Sequence, residues 1–243
     1  MQLDGHATNQ DINTLIDDLC DSNDTSYTVE KKVLNINVFY EELVGEIINA
    51  DGTWQYDDTN YTDHPRGRGN LVEGQEDYSF SSEYLQIEAI EILNLNTVYV
   101  RIDPLDHQEL KGLSPQEYFG VDSSGNPNKG FPRNFDQVGD TTRLYPAPTS
   151  TSVTLTNGIR IWFKRRPDLF TTSDTTQEPG LPSSHHSILA YGAAIPFCMK
   201  YKKDRVAGYQ NKVDKMTKSL LEHFAHREKA KRKIMSNKEI NYI

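Results

Sequence analysis

RLYPAPTSTSVTLTNGIRIWFKRRPDLFTTSDTTQEPGLP, residues 143–182, is the stretch of sequence that decides the fold. Its apolar side chains alternate with polar ones on both sides of Asn157-Gly158. This dipeptide accepts positive φ at both central positions of a tight turn. The pattern therefore predicts a β-hairpin whose strands run near 152–156 and 159–165.

A helical pattern begins where this stretch ends. The Pro/Gly-rich end of the stretch stops the extended structure, and Ser183 or Ser184 is placed to cap a helix. One apolar face then follows from Ile188 to Met199, although Pro196 is expected to kink or interrupt that helix. Further along, an apolar stripe at nearly heptad spacing predicts a long C-terminal helix over 206–224.

Two more stripes at helical spacing lie near the other end of the chain. The first predicts a short helix over 12–20, with Asn9 or Asp11 as its cap. The second predicts a longer helix over 29–47 that ends near the Asp-Gly pair at 51–52. Both helices precede the β region in the chain.

The region from 53 to 166 has a different texture. Short aromatic and β-branched runs alternate there with Gly, Pro, Asn and Asp, which is typical of an all-β unit. The segment VDSSGNPNKGFPRN at 121–134 is expected to be an exposed loop. The strands are predicted near 77–80, 84–93, 97–102, 142–145, 152–156 and 159–165.

The order of helices, strands and helices predicts an α+β fold. We expect the N- and C-terminal helices to form one helical bundle, with an antiparallel β lobe inserted between them. The corresponding domain boundaries are 1–52 for the N-terminal helices, 53–166 for the inserted β domain, and 167–243 for the crossing segment, C-terminal helices and tail.

Charge is distributed unevenly along the 243 residues. The net charge is −9, yet residues 200–243 carry 13 Lys/Arg against five acids, while residues 1–30 carry seven acids and no Lys or Arg. Opposite charges at the two ends of the chain favour packing of the basic end of one copy against the acidic end of the next. The alternative is that the basic residues form a solvated helix face. No apolar run approaches the ~20 residues that span a bilayer. We expect synthesis in the cytoplasm and no membrane partner.

No catalytic or metal-binding motif is found at a recognised spacing. Cys20 and Cys198 lie on apolar helix faces, where thiols behave as small buried hydrophobes, so no disulfide framework is expected. Adjacent helical residues point about 100° apart, so His185-His186 cannot hold one ion and a surface role is predicted. A solvated pair on the last helix is favoured for the two histidines at 223 and 226.

Two loops have the composition of ligand sites. One is an acidic turn within residues 57–63, whose side chains offer oxygen ligands for calcium or magnesium. It lacks the glycine and the terminal Glu of an EF-hand, and its residue types are those of ordinary turns. RGRG at 66–69 can meet phosphate, but it has no P-loop pattern, so a flexible loop with rim contacts is predicted. The acidic turn residues are Asp57, Asp58, Asn60 and Asp63, and the candidate loop contacts are Arg66, Arg68, Lys129 and Arg133.

Several segments together resemble a known protein family. In order along the chain, they are WQYDDTNYTDHPRGRGNLVEGQEDYSF, RLYPAP, IRIWFKRRPDLFT, DTTQEPGLP and HHSILAYGAA, within residues 28–232. They resemble the head-to-tail adaptor, or connector, proteins from the neck of tailed bacteriophages. The resemblance rests on the order and texture of these segments rather than on a catalytic signature.

This resemblance implies a structural protein of the virion without a cofactor or enzymatic activity. An adaptor of this kind docks on the portal protein, forms a dodecameric ring with other copies, joins the DNA-filled head to tail or neck proteins, and lines part of the DNA channel. Contact with genomic DNA would then be nonspecific. The candidate contacts with the portal or a neighbouring copy are Lys229, Lys231, Arg232, Lys233, Ile240, Tyr242 and Ile243.

Two other functions are weighed against this interpretation. A virion β-sandwich module that binds carbohydrate would use aromatic side chains as a stacking platform, and a hydrolase would need catalytic residues that only the fold brings together. Trp162 belongs to a strand pattern that favours a place in or near the core, which counts against the platform. The platform candidates are Trp54, Tyr56, Tyr61 and Trp162.

Overall fold

The computed structural model describes residues 1–5, 11–50, 56–81, 84–121, 123–139 and 141–229, and the side chains up to residue 224. The chain divides into a helical unit, residues 1–62 with those from 166 onward, and a β unit, residues 63–165. The helices are α1 (Ile12–Cys20), α2 (Val29–Asn49), α3 (Pro115–Phe119), α4 (Ser187–Tyr201) and α5 (Lys203–Lys229). The strands are β1 (Arg66–Gly69), β2 (Asp77–Ser79), β3 (Tyr84–Leu93), β4 (Tyr99–Pro104), β5 (Lys129–Gly130), β6 (Asn134–Val138), β7 (Thr141–Tyr145), β8 (Ala147–Pro148) and β9 (Ile159–Arg165).

Local sequence explains the two N-terminal helices. Asp11 caps α1, since its Oδ1 accepts a hydrogen bond from the backbone N–H of Thr14 at 2.8 Å. The apolar stripe of α2 is buried as predicted, with Ile36 and Tyr40 fully enclosed. The helices predicted over 12–20 and 29–47 are therefore confirmed. The alternative cap Asn9 and the predicted stop at 51–52 lie outside the described residues.

The core of the helical unit is built around α4. Helices α1, α2 and α5 each pack against α4, whereas α1 and α2 make few contacts with each other. α4 is buried on most sides rather than on the one face predicted, and Met199 at its end is exposed. Non-helical segments fill the remaining core, through Leu3, Tyr56, Phe170 and Leu181.

The β unit contains a seven-stranded sheet in the order β1-β9-β3-β4-β6-β7-β2. Neighbouring strands are antiparallel except β4 and β6, which are parallel. β5 and β8 form a separate parallel pair. One face of the large sheet is apolar because β-branched residues alternate along β3 and β9, and it includes Ile90, Ile92, Ile159 and Ile161.

The chain is α+β, but the predicted architecture is wrong. The largest element is a mixed seven-stranded sheet, not an antiparallel lobe, because the long connection after β4 returns β6 parallel to it. The helices do not form the expected bundle either. α1 and α2 contact α4 separately, and extended segments occupy places that a bundle would fill with helix.

The predicted hairpin at Asn157-Gly158 is also wrong. Residues 152–156 form no strand; only Val153 makes an isolated bridge, and its partner is Asn94. β9 pairs instead with β1 and β3. Asn157 has a positive φ of 51°, but Gly158 does not have a positive φ. Position 158 requires glycine for a steric reason instead. An added Cβ at Gly158 would lie 2.2 Å from the carbonyl oxygen of Thr154.

Other local predictions also need correction. The RGRG segment is strand β1 rather than a flexible loop. Of the two effects predicted for Pro196, the interruption is wrong, since α4 is continuous through it. Ser183 and Ser184 do not cap a helix through their side chains, since a short 3₁₀ helix, Ser183–His185, leads into α4. The strands predicted near 77–80, 84–93, 97–102, 142–145 and 159–165 are confirmed. α3, β5, β6 and β8 are additional, and β5 lies within the segment 121–134 that was expected to be a loop.

The two cysteines behave as the sequence predicted. Cys20 on α1 and Cys198 on α4 are free and buried, with their Sγ atoms 4.0 Å apart. Burial, followed by the influence of Cys198, raises the pKa of the Cys20 thiol to about 12. Both side chains therefore act as packing groups at the contact between α1 and α4.

Candidate nucleic-acid interface

The face of the large sheet opposite its apolar core carries a row of arginines. Residues directly opposite each other in neighbouring strands project to the same face. The register places Arg68 opposite Arg160, Arg160 opposite Glu91, and Glu91 opposite Arg101. Arg66 extends the row, since it lies two residues from Arg68 on β1. Strands β1, β9, β3 and β4 thus present four arginines on one side.

The strand sequences explain why these arginines point outward. In β9, Arg160 alternates with Ile159 and Ile161, which enter the core. In β1 the alternation is between arginine and glycine. An added Cβ at Gly67 would lie 3.1 Å from Cγ1 of Ile161, so glycine allows β1 to approach β9 closely on the core side.

Two aromatic rings hold the guanidinium groups in place. Arg160 lies over the ring of Tyr99 at 3.9 Å, and Arg68 lies 5.8 Å from the same ring. Arg66 lies over the ring of Trp162 at 5.5 Å. The Tyr99 hydroxyl donates to the carbonyl oxygen of Asn157 at 2.8 Å, which fixes the ring. Cation–π contacts of this kind contribute about 0.5–1 kcal/mol each at exposed sites.

The charges of this face are only partly neutralised by the groups around it. Arg160 forms an ion pair with Glu91, and both side chains are half-buried. Arg66, Arg68 and Arg101 are exposed. We name the set the arginine face: Arg66, Arg68, Arg101, Arg160, Tyr99 and Trp162. Guanidinium groups beside aromatic rings bind phosphates and stack on bases without reading their sequence.

The sequence-based candidates are only partly brought together. Arg66 and Arg68 belong to the arginine face, whereas Lys129 lies in β5 and Arg133 just before β6. Tyr99, Arg101 and Arg160 were not singled out from the sequence. Lys229 ends α5 with its side chain undescribed. The remaining candidates, Lys231, Arg232, Lys233, Ile240, Tyr242 and Ile243, lie outside the described residues.

The acidic turn contains a structural carboxylate rather than a visible ion site. Asp58 is buried, and its Oδ2 accepts from the Tyr40 hydroxyl at 2.6 Å and from the Asp168 backbone at 3.1 Å. Its Oδ1 accepts from the backbone of Asn60 at 2.9 Å. In the β unit, Asp63 pairs with Arg165 at 3.1 Å. Within the described part of the chain, no cluster of His, Cys, Asp and Glu has the geometry to hold a metal.

The histidines differ in their surroundings. The surface role predicted for His186 is wrong: it is buried, its Nε2 lies 2.8 Å from the carbonyl oxygen of Leu181, and burial lowers its pKa. His185 is half-buried, with its ring 5.9 Å from that of His223. The side chain of His226 lies outside the described residues.

Not all of the aromatic residues that a carbohydrate-binding module would use as a stacking platform expose a ring face. Tyr56 is 3% exposed within the helical core, which removes it from a stacking platform. Tyr61 is half-buried, with its hydroxyl on the carbonyl oxygen of Arg166. Trp162 was expected in or near the core; it is half-buried on the arginine face and does not belong to the core. Trp54 is outside the described residues.

Comparison with known proteins defines the class as head-to-tail adaptors of tailed bacteriophages. A family model described as SU10 adaptor protein matches residues 36–234, and the chain belongs to this family. Its role is that of a structural adaptor of the virion, associated with head and tail components of the phage. No curated protein matches the chain. Over the described residues, no helix is long and apolar enough to cross a membrane.

Proposed function

We propose that this adaptor docks on the portal ring, joins the head to the tail, and contributes the arginine face to the wall of the DNA channel. The observation that carries the proposal is the row of four arginines across four strands, in a chain of the adaptor family. Duplex DNA presents one phosphate charge per about 1.7 Å of its axis, so a row of this kind meets several phosphates at once.

The chemistry of the arginine face suits DNA that must move. Its contacts are with phosphates and ring faces, which every sequence offers equally, so binding energy varies little as DNA slides past. Tyr99 and Trp162 hold the guanidinium groups of Arg66, Arg68 and Arg160 before DNA arrives, so little side-chain entropy is lost on contact. These properties favour a channel wall over a sequence-reading surface.

The proposal includes a ring of copies, dodecameric as the family resemblance implies. In a cyclic ring each subunit uses one surface to meet a different surface of the next. The segment that begins at Lys229 is the proposed contact with the portal or with a neighbouring copy. We propose that the protein acts by assembly and has no catalytic activity of its own.

Electron cryomicroscopy of the assembled virion tests this proposal most directly. We expect density for this chain in a ring between portal and tail, with the arginine face toward the channel axis. Density on tail fibres, or in the capsid away from the portal vertex, would overturn the proposed function. Co-sedimentation with purified portal rings provides a second measurement, in which this chain should appear in the portal fraction.

A further inference from the structure

A groove of about 630 Å³ lies between α2 and α5 of the helical unit. Its floor is apolar and includes Phe39 and Leu221, both half-buried. The lining also contains four exposed carboxylates and a single lysine, Lys218. The carboxylates are Glu42 and Glu46 on α2 and Asp214 and Glu222 on α5.

The groove selects for a partner with two properties. An apolar floor between two helices accepts the apolar side chains of a peptide, as in other helix-lined grooves. Carboxylates on both walls favour positive charges beside those apolar side chains and disfavour negative ones. The carboxylates that α5 contributes to the groove are unusual for this helix, which is otherwise rich in lysine. The groove is therefore matched to a basic and apolar segment.

We propose that this groove binds residues 230–243, AKRKIMSNKEINYI, of a second copy of the chain. This segment contains three consecutive basic residues, Lys231 to Lys233, followed directly by Ile234 and Met235. A further apolar group comes near its end, with only one acidic residue in the whole segment. The inference rests on the proposed ring and names the two surfaces that join its neighbouring copies.

A second copy fits this groove better than the same chain does. α5 forms one wall of the groove and runs beyond Glu222 to Lys229, the last residue that the structure describes. The chain would have to reverse at once to return along its own helix. Residues 230–235 contain no Gly, Pro, Asn or Asp, the residue types that commonly reverse a chain. The segment of another copy approaches without this reversal, and the resulting contact is heterologous, as a ring requires.

A peptide titration tests the recognition. A fluorescent peptide with the sequence of residues 230–243 is titrated with the full-length protein, and its anisotropy is measured. We expect saturable binding that weakens with salt. The variant Glu46→Lys/Asp214→Lys should bind roughly tenfold more weakly, because two attractions become repulsions. The matched control Glu41→Lys/Asp204→Lys changes two exposed acids of the same helices outside the groove and should bind as the wild type does.

Disulfide cross-linking tests whether the partner is a second copy. One variant carries Thr217→Cys in the groove and another carries Ile240→Cys, and the two are mixed with copper phenanthroline and air. The oxidant removes two electrons and two protons from the thiols to form one Sγ–Sγ bond. We expect a covalent dimer of one copy of each variant. Ala207→Cys, exposed on α5 outside the groove, should give none with Ile240→Cys.

The outcomes separate this inference from the proposed function. Equal peptide affinity of the groove variant and the wild type would overturn the inference. A double variant that carries both Thr217→Cys and Ile240→Cys provides a further test. If it cross-links only within one chain in a dilute sample, the inference is also overturned. Neither result bears on the position of the chain in the virion, which microscopy measures independently. A protein located away from the neck would overturn the proposed function even if the peptide still bound.

Discussion

The hydroxyl of Tyr40 donates a 2.6 Å hydrogen bond to Oδ2 of Asp58 and, through its oxygen, accepts one of 3.0 Å from the backbone N–H of Gly180. Burial, then the nearby Tyr56 and Asp58, raises the pKa of Tyr40 well above its usual range, so it remains a donor. This relationship connects α2 to two non-helical segments of the helical unit. The buried Asp58 carboxylate is therefore a structural group.

We expect Tyr40→Phe to lower the free energy of unfolding by about 1.5–3 kcal/mol, because it removes a hydrogen bond to a charged group and leaves buried polar groups unpaired. Chemical denaturation measures the change. Tyr61→Phe is the matched control: its hydroxyl bonds the carbonyl oxygen of Arg166 at an exposed position, so the loss should be under about 1 kcal/mol. Equal losses would contradict the role given to Asp58.

Substitution by alanine is expected to have opposite effects at two helical glycines, one packed closely against α2 and one in open space. An added Cβ at Gly192 would lie 2.3 Å from Cδ1 of Phe39, whereas one at Gly208 in α5 meets nothing within 4 Å. Gly192→Ala should destabilise by about 1–3 kcal/mol through overpacking. Gly208→Ala should stabilise by up to about 1 kcal/mol through helix propensity. Thermal unfolding of both variants checks the signs, and a stabilised Gly192→Ala would disprove the close approach.

The buried Lys32 on α2 predicts an asymmetric response to loss of its ion pairs. Its ammonium lies 2.6 Å from Asp17 and 2.9 Å from Asp24. Burial works to lower the pKa of Lys32, but the hydrogen bonds to Asp17 and Asp24 outweigh it, and the pKa is raised. The side chain of Lys32 is fully buried, while Asp24 is 71% exposed and keeps water contact. An unpaired ammonium therefore costs more than unpaired carboxylates.

Asp17→Asn should accordingly destabilise the protein more than Lys32→Met. We expect about 1–3 kcal/mol for Asp17→Asn, since Asp24 still pairs with the ammonium, and less for Lys32→Met, whose apolar side chain fills the buried space. Urea denaturation at neutral pH gives both values. A greater loss for Lys32→Met would contradict this order.

His186 predicts a dependence of stability on pH. Burial lowers its pKa below the ordinary value of 6.5, against the opposing bond to the carbonyl oxygen of Leu181; the amino group of Met1 also lowers it, and Glu178 raises it. The folded state therefore keeps His186 neutral where the unfolded state takes up a proton. The free energy of unfolding should decrease as pH falls below about 6.5.

The variant His186→Gln removes this titration and retains a side-chain donor. Its loss of stability between about pH 7.5 and about pH 5.5 should be smaller than that of the wild type. His107→Gln changes an exposed histidine of the β unit and keeps His186, so it serves as the control. Identical pH profiles for His186→Gln and the wild type would show that another group is responsible.

The contrast between α1 and β9 shows what the sequence could predict. The cap and apolar spacing of α1 are local, so Asp11 and the stripe after it were sufficient to define the helix. The strand β9 was also predicted, but its partners are distant in sequence. β1 and β3 pair with it, while Thr154 donates its backbone N–H to Leu93. No local pattern shows that β1 and β3, rather than residues 152–156, pair with β9.

The arginine face illustrates the same limit. The alternation in β9 identified the core residues, and the polar residues between them, including Arg160, were the available signal for an outer face. The strand order was needed to place Arg101 and Tyr99 beside it. RGRG lacks the residue types common in strands, yet glycine is suited to β1 because its inner side lies against the Ile159 and Ile161 side chains.

The arginine face predicts a specific change in the salt dependence of DNA binding. For duplex DNA, the slope of log K against log salt concentration is about −0.9 per phosphate neutralised. Arg66→Ala/Arg68→Ala should therefore weaken binding to any sequence and reduce the slope by about 2 if both guanidinium groups contact phosphate. Electrophoretic mobility shifts at several salt concentrations, with a duplex of random sequence, provide the affinities.

The matched control for this measurement is Lys129→Ala/Arg133→Ala, which removes one positive charge from β5 and one from the segment just before β6 of the same unit. A general effect of net charge would reduce the slope equally in both variants, whereas a phosphate-binding row on β1 affects only the first. Circular dichroism should show that both variants stay folded, because Arg66 and Arg68 are exposed. If both variants keep the wild-type slope, the arginine face does not bind DNA, and the channel wall must be formed by another surface.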